Sequence, residues 1–261
     1  MDERNMAAEA RLRALLPGAE VRWLRETDST NRQLRLLADG GAPEGTVLLA
    51  DHQTAGRGRL GRRFESPAGK GLYLSLLLRP RVSPEALGSL TPWAAVAVRR
   101  AIRSACGLDA GIKWVNDLVC RGRQLCGIRT EGAFRDGEVQ FAVLGVGLNV
   151  SALPGDFPGE LRETATSILQ ETGLAPEREA LAAALIRELR ELPGCWETGG
   201  DALYKAYRDA CVTLGRPVRL SDGTEGFAED LERDFALRLR LPDGTFRRVQ
   251  SGEASLKKDS E

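Results

Sequence analysis

The segment Gln53-Thr54-Ala55-Gly56-Arg57-Gly58-Arg59-Leu60-Gly61-Arg62-Arg63-Phe64 interleaves three glycines with four arginines. Glycine lets a backbone adopt unusual dihedrals and approach a ligand closely. Arginine offers a planar, permanently charged fork that matches phosphate and carboxylate geometry. The segment therefore reads as an anion clamp. The chain as a whole carries 37 basic and 37 acidic residues, so the positive charge is local and suits a small anion better than a long polyanion. Its glycines raise the entropic cost of fixing the loop and its arginines repel one another, so the empty loop is expected to be disordered.

Three further patches could do chemistry. Lys113-Trp114-Val115-Asn116-Asp117 sets a cation, an aromatic, an amide and a carboxylate between two apolar runs. A lysine there is costly unless it meets an anion, and Asn-Asp suits the turn. Gly145-Val146-Gly147-Leu148-Asn149 places two glycines on one face of a strand, which leaves a flat floor. Asp28-Ser29-Thr30-Asn31 gives two hydroxyls and an amide at a helix start, where they can cap the helix or hold a neutral polar group.

Elements must position these patches. A helix is expected over 7–16, and a second from the Asp28–Asn31 patch to Gly40. Strands are expected over 46–50 and 72–78, with Leu72, Leu74, Leu76 and Leu78 on one face. A long apolar helix over 93–106 leads to strands at 112–115, 118–121, 125–130 and 139–150. Amphipathic helices follow over 176–192 and 201–211. After Gly215 the texture turns to strict alternation, as in Ala236–Leu241, with a hairpin turn at Pro242-Asp243-Gly244-Thr245. These patterns give an α+β class, with a main domain over 1–212 and a small all-β module over 213–261.

Composition narrows the function. At 42% hydrophobic and 28% charged, the chain has an ordinary globular balance. No run of about 18 apolar residues suggests a membrane span, and the charged amino terminus is no signal core, so a cytoplasmic location is expected. His52 is the only histidine, which removes a His-based metal site and disfavours a Ser-His-Asp triad. Cys106, Cys120, Cys126, Cys195 and Cys211 form no C-x-x-C pair; reduced, apolar cysteines are expected, with no metal held by His or Cys.

In this order the four patches resemble the biotin–protein ligases (biotin–[acetyl-CoA-carboxylase] ligases), over roughly residues 20–257. Gly252-Glu253-Ala254-Ser255-Leu256 looks like that family's closing strand. The resemblance implies a class II synthetase-like catalytic domain with a mixed sheet and an SH3-like β-barrel at the carboxyl end. It implies that the biotin carboxylate attacks the α-phosphate of ATP, accompanied by Mg²⁺, giving biotinyl-5′-AMP and pyrophosphate. A lysine of a biotin carboxyl carrier protein then attacks the mixed anhydride.

The same resemblance implies the roles of individual residues. Lys113 and Arg59 would be catalytic. Ser29, Thr30, Asn31, Gln53, Arg57, Gly58, Leu118, Cys120, Gly145 and Gly147 would join them around biotin. Arg57, Arg59, Arg62, Phe64, Asn116, Asp117 and Asn149 would bind ATP or the adenylate. Several positions depart from the family pattern. Val115 replaces a proline and Phe64 a tryptophan. Arg129 replaces an apolar residue on a strand used for dimer contacts in some relatives, which argues for a monomer or a different interface. Asp230 and Phe235 stand where relatives tend to have glycine.

Only 27 residues precede Asp28, too few for the DNA-binding domain of the bifunctional relatives, so no DNA partner is expected. The oligomeric choice stays between monomer and homodimer. Rival readings are a lipoate ligase or octanoyltransferase of the same fold, a biotin-binding regulator without catalysis, and a nucleic-acid-binding protein that uses the arginines.

Overall fold

The computed structural model describes residues 3–59, 61–198 and 200–256. Leu60 of the arginine–glycine segment and residues 257–261 of the carboxyl-terminal module lie outside the described residues. The chain opens with helix α1 (Glu3–Leu15), strand β1 (Val21–Thr27), helix α2 (Thr30–Asp39), and strands β2 (Val47–Gln53) and β3 (Gly71–Leu78). β1 is absent from the sequence reading. It runs parallel to β2, with Val21 opposite Val47 and Thr27 opposite Gln53, and α2 supplies the crossover that a parallel pair requires. This register brings the Asp28–Asn31 patch beside Gln53.

Helix α3 (Leu90–Cys106) ends at Gly107, whose φ of 67° is the left-handed conformation that suits glycine. Strands β4 (Gly111–Lys113), β5 (Asp117–Cys120), β6 (Arg123–Arg135) and β7 (Glu138–Asn149) complete a seven-stranded sheet of order β1-β2-β3-β7-β6-β5-β4. Apart from β1–β2, its neighbours are antiparallel. Helices α4 (Leu161–Thr164), α5 (Ile168–Thr172), α6 (Arg178–Arg190), α7 (Leu192–Glu197) and α8 (Asp201–Ala210) follow.

Period-two alternation divides the sheet into two chemistries. Leu72, Leu74, Leu76 and Leu78 of β3, Leu144, Val146 and Leu148 of β7, and Cys126 and Ile128 of β6 belong to the main core, with residues of α3, α6 and α8. The intervening residues face the other way. There Leu48, Leu77 and Val143 pack under Leu34 and Ala38 of α2. Beyond α2 this second face carries Tyr73, Ser75, Gly145, Gly147 and Gly127, and the Phe64 ring lies on it.

The carboxyl-terminal module is a five-stranded antiparallel sheet. It consists of β8 (Arg216–Leu220), β9 (Glu225–Leu231), β10 (Leu237–Arg240), β11 (Phe246–Val249) and β12 (Ala254–Leu256), in the order β11-β10-β9-β8-β12. The Pro242–Thr245 turn joins β10 to β11, and the Gly252–Leu256 segment closes the sheet against β8. Trp114 Nε1 donates to the Phe235 carbonyl at 2.8 Å and Tyr204 Oη to that of Leu231 at 2.7 Å.

Two departures from the family pattern find physical accounts here. Phe235 keeps a left-handed φ of 66°, and its ring is buried against Tyr204 and Tyr207, at 5.6 and 5.2 Å between centroids. Asp230 receives two hydrogen bonds from the Arg208 guanidinium. The Trp114–Val115 peptide is cis. No helix among the described residues is long and apolar enough to cross a membrane.

Candidate functional site

This second face of the sheet carries a cleft of about 420 Å³, within the usual range for small-molecule sites. One end is a buried polar relay. The Thr30 N–H and hydroxyl both donate to Gln53 Oε1, at 2.9 and 3.1 Å, and Gln53 Nε2 donates to Ser66 Oγ at 3.1 Å. The hydroxyl of Ser75, fully buried on β3, lies 2.8 Å from Thr30 Oγ1 and 2.6 Å from Asn31 Oδ1. Ser29 occupies the N-cap of α2, but its side chain makes no capping bond. Asp28 accepts from the Ser29 N–H and from the side chains of Arg32 and Gln33 instead, so the Ser29 hydroxyl is left for the cleft.

The floor comes from three glycines. Gly145 lies directly under the Asn31 amide, with no room for a β-carbon. Gly147 and Gly127 face each other across β7 and β6, and the Phe64 ring rests on both. Phe64 also meets Tyr73 edge-on, 6.3 Å between centroids.

Charge collects at the other end. Lys113, at the end of β4, lines the cleft, and its ammonium makes no hydrogen bond or ion pair among the described residues. Asn116 is the hub of the adjoining turn: its Nδ2 donates to Asp117 Oδ1 at 2.8 Å and to the Ile128 carbonyl at 3.2 Å, and its Oδ1 accepts from Arg59 at 3.0 Å. Burial pushes the Asp117 carboxyl above its ordinary value, against the opposing pull of Lys113, Gln124 and Arg59. Burial likewise lowers Arg59, against the pull of Asp117 and Glu253.

The arginine–glycine segment forms a hairpin over this end. Arg57 bridges Arg63, and the Gly58 N–H donates to the Arg62 carbonyl at 2.8 Å. Arg57 and Arg59 line the cleft.

Several expectations need correction. Leu118 and Cys120 alternate into the main core and do not line the cleft; Val119, between them, does. A bulge between Leu118 and Val119 adjusts the pairing of β5 with β6. Asn149 is buried at the end of β7 and lies outside the cleft lining, with its Oδ1 unpartnered. Arg62 does line the cleft, mostly exposed and paired with Glu253 at 2.7 Å. Arg129 faces the cleft, and β6 is an interior strand, so it offers no argument about a dimer edge.

Residues missed by the sequence reading are Ser75, Gln124, Val119, Glu131 and Glu253. Ser75 left a signal: it is the one polar residue within Leu72–Leu78.

Comparisons with known proteins show the family. Residues 23–149 match the model of the Biotin/lipoate A/B protein ligase family. The chain is 37% identical over 245 residues to the Biotin--[acetyl-CoA-carboxylase] ligase of Mycobacterium tuberculosis, covering 88% of this chain and 89% of that protein. It is 36% identical over 218 residues to the Bifunctional ligase/repressor BirA of Bacillus subtilis, covering 84% of this chain. It spans 62% of the length of that relative. The solved biotin protein ligase from Aquifex aeolicus in complex with biotin and ATP has a TM-score of 0.77 at 26% identity, covering 92% of this chain and 99% of that one. The chain belongs to the biotin/lipoate A/B protein ligase family.

Proposed function

We propose that this chain is an ATP-dependent biotin–protein ligase acting in the cytoplasm. The observation that carries this reading is the Lys113 ammonium, unpaired among the described residues, in one cleft with a buried relay of neutral polar groups and with Arg57 and Arg59. A ligand with a neutral hydrogen-bonding head, an apolar middle and an anionic tail matches that sequence of environments, and biotin has this form.

The head would meet Ser29, Thr30, Asn31 and Gln53, and the middle would cross the floor at Gly145 and Gly147. The carboxylate would reach Lys113 and Arg59. An oxygen of the carboxylate attacks the α-phosphorus of ATP, the bond to the β-phosphate oxygen breaks, and pyrophosphate leaves. Lys113 and Arg59 offset the charge that grows on the phosphate oxygens, and no enzyme nucleophile is needed. Asp117 and Glu253 bring carboxylate oxygens to this end of the cleft, the donor type that Mg²⁺ takes. Bound with ATP, Mg²⁺ would neutralise phosphate charge there. Phe64 would lie against the adenylate, with Asn116 holding Arg59 in place. In the second step the amine of a lysine on a biotin carboxyl carrier protein attacks the acyl carbon, AMP leaves and an amide forms.

Pyrophosphate release with ATP, Mg²⁺ and biotin tests the first step, with lipoate as the competing substrate. Biotin-dependent release is expected. Biotin binding without release would make the protein a regulator, and release with lipoate alone would overturn the substrate.

A further inference from the structure

A separate cavity of about 350 Å³ lies between α1, the start of α6 and the paired strands β1 and β2, and shares no lining residue with the cleft. Trp23 of β1 forms one wall and belongs to the main core, so the cavity sits on the face of the sheet away from the cleft. Three side chains converge there on Asp51. Asn5 Nδ2 donates to its Oδ2 at 2.9 Å, and Trp23 Nε1 and Arg178 Nη2 donate to its Oδ1 at 3.1 and 2.6 Å. The Arg178 guanidinium also covers the Trp23 ring, 5.1 Å from its centroid, and reaches the Gly71 carbonyl at 3.2 Å. These bonds fix Asn5 and Arg178 yet leave one polar atom of each unused. Asn5 Oδ1, an acceptor, and the Arg178 Nε–H, a donor, are buried without a partner among the described residues. Asn5 is only 3% exposed, and buried polar atoms are rarely left unpaired.

We propose that this cavity binds a small, flat molecule bearing a primary carboxamide. The amide carbonyl accepts from Arg178 Nε, and an amide N–H donates to Asn5 Oδ1. A primary amide carries an acceptor and donors side by side, which complements the two unused atoms. A carboxylate fits worse, because Asp51 already answers the Arg178 charge and Asn5 Oδ1 would face a second acceptor. An ammonium would satisfy Asn5 Oδ1 but offer Arg178 Nε nothing to bond. Ala7 and Ala8 of α1 leave room for the body of the molecule, and the volume is within the range of small-molecule sites. Binding there is independent of the ligase chemistry proposed above.

The probe is benzamide, titrated into the ligand-free full chain and followed by nitrogen–proton correlation NMR at the Asn5 amide, the Trp23 indole and the Arg178 Nε–H. Acetophenone is the control: it keeps the ring and the carbonyl but has no N–H. Saturable shifts of all three signals are expected near about 1 mM benzamide. The ketone should bind about tenfold more weakly or worse, the worth of one hydrogen bond. Ala8→Phe, which fills the cavity and leaves its polar groups in place, should abolish the shifts while biotin-dependent pyrophosphate release stays unchanged.

The absence of saturable shifts with benzamide overturns the proposal and leaves the cavity to solvent. Equal binding of the ketone overturns it too, since Asn5 Oδ1 then plays no part. Binding that survives Ala8→Phe puts the probe elsewhere and is equally fatal. If Ala8→Phe does not fold, the comparison of amide with ketone still decides.

Discussion

The Phe64 ring rests on the backbone of Gly147: a β-carbon there would stand 2.5 Å from ring carbon Cε1. Real β-carbons do not approach so closely, so Gly147→Ala must push the ring off the floor. The neighbouring Gly127 contact, at 3.1 Å, leaves little room on the other side. Adenylate binding is expected to weaken on the order of tenfold, with thermal unfolding little changed because the ring is only half-buried. Calorimetric titration with a non-hydrolysable biotinyl-AMP analogue measures this; unchanged affinity would show that Phe64 plays no part in binding.

Ser75→Ala removes the hydroxyl that serves both Thr30 Oγ1 and Asn31 Oδ1. A buried acceptor left without its donor costs about 1–3 kcal/mol. Denaturant unfolding should register that loss, and biotin affinity should drop with it, since the same relay sets Thr30 and Asn31. Ser75→Thr keeps the hydroxyl but adds a methyl to a closed site, and is expected to restore little.

Lys113→Ala deletes a cation whose ammonium forms no ion pair among the described residues but whose charge favours ionisation of the buried Asp117. Biotin-dependent pyrophosphate release is expected to fall about 100-fold or more, with the Asp117 carboxyl pushed further above its ordinary value. An active Lys113→Ala protein would shift the electrostatic role to Arg59 and Arg57.

Acid should loosen the back of the molecule. Asp51 on β2 accepts from Asn5 at 2.9 Å, Trp23 Nε1 at 3.1 Å and Arg178 at 2.6 Å. Burial opposes its ionisation, but these partners outweigh burial and hold the carboxyl below its ordinary 3.8. The folded value is the lower one, so the stabilisation is complete above about pH 4 and is lost as pH falls through the folded value. Hydrogen exchange of α1 and β1 should therefore accelerate below pH 4, and Asp51→Asn should remove that dependence.

Much of the cleft was legible because its chemistry is local. The hairpin, the Lys113–Asp117 turn and the Gly145/Gly147 floor each lie within a dozen residues. What escaped depends on pairing. β1 escaped because Arg22, Arg25 and Glu26 interrupt its apolar pattern, and its burial comes from the parallel contact with β2. Leu118 and Cys120, which the resemblance puts at biotin, turn into the main core, and strand period alone does not say which face of β5 turns to which side. Glu253 could not be located from the sequence, because the fold of the carboxyl-terminal sheet carries it to the cleft.

The bond between Arg62 and Glu253 spans nearly two hundred positions. Translation delivers Ser29, Gln53, Lys113 and Gly147 well before it delivers Glu253. A ribosome-bound chain can therefore hold most of the cleft while one anchor of the arginine hairpin is still unmade, and the finished clamp appears only as synthesis closes.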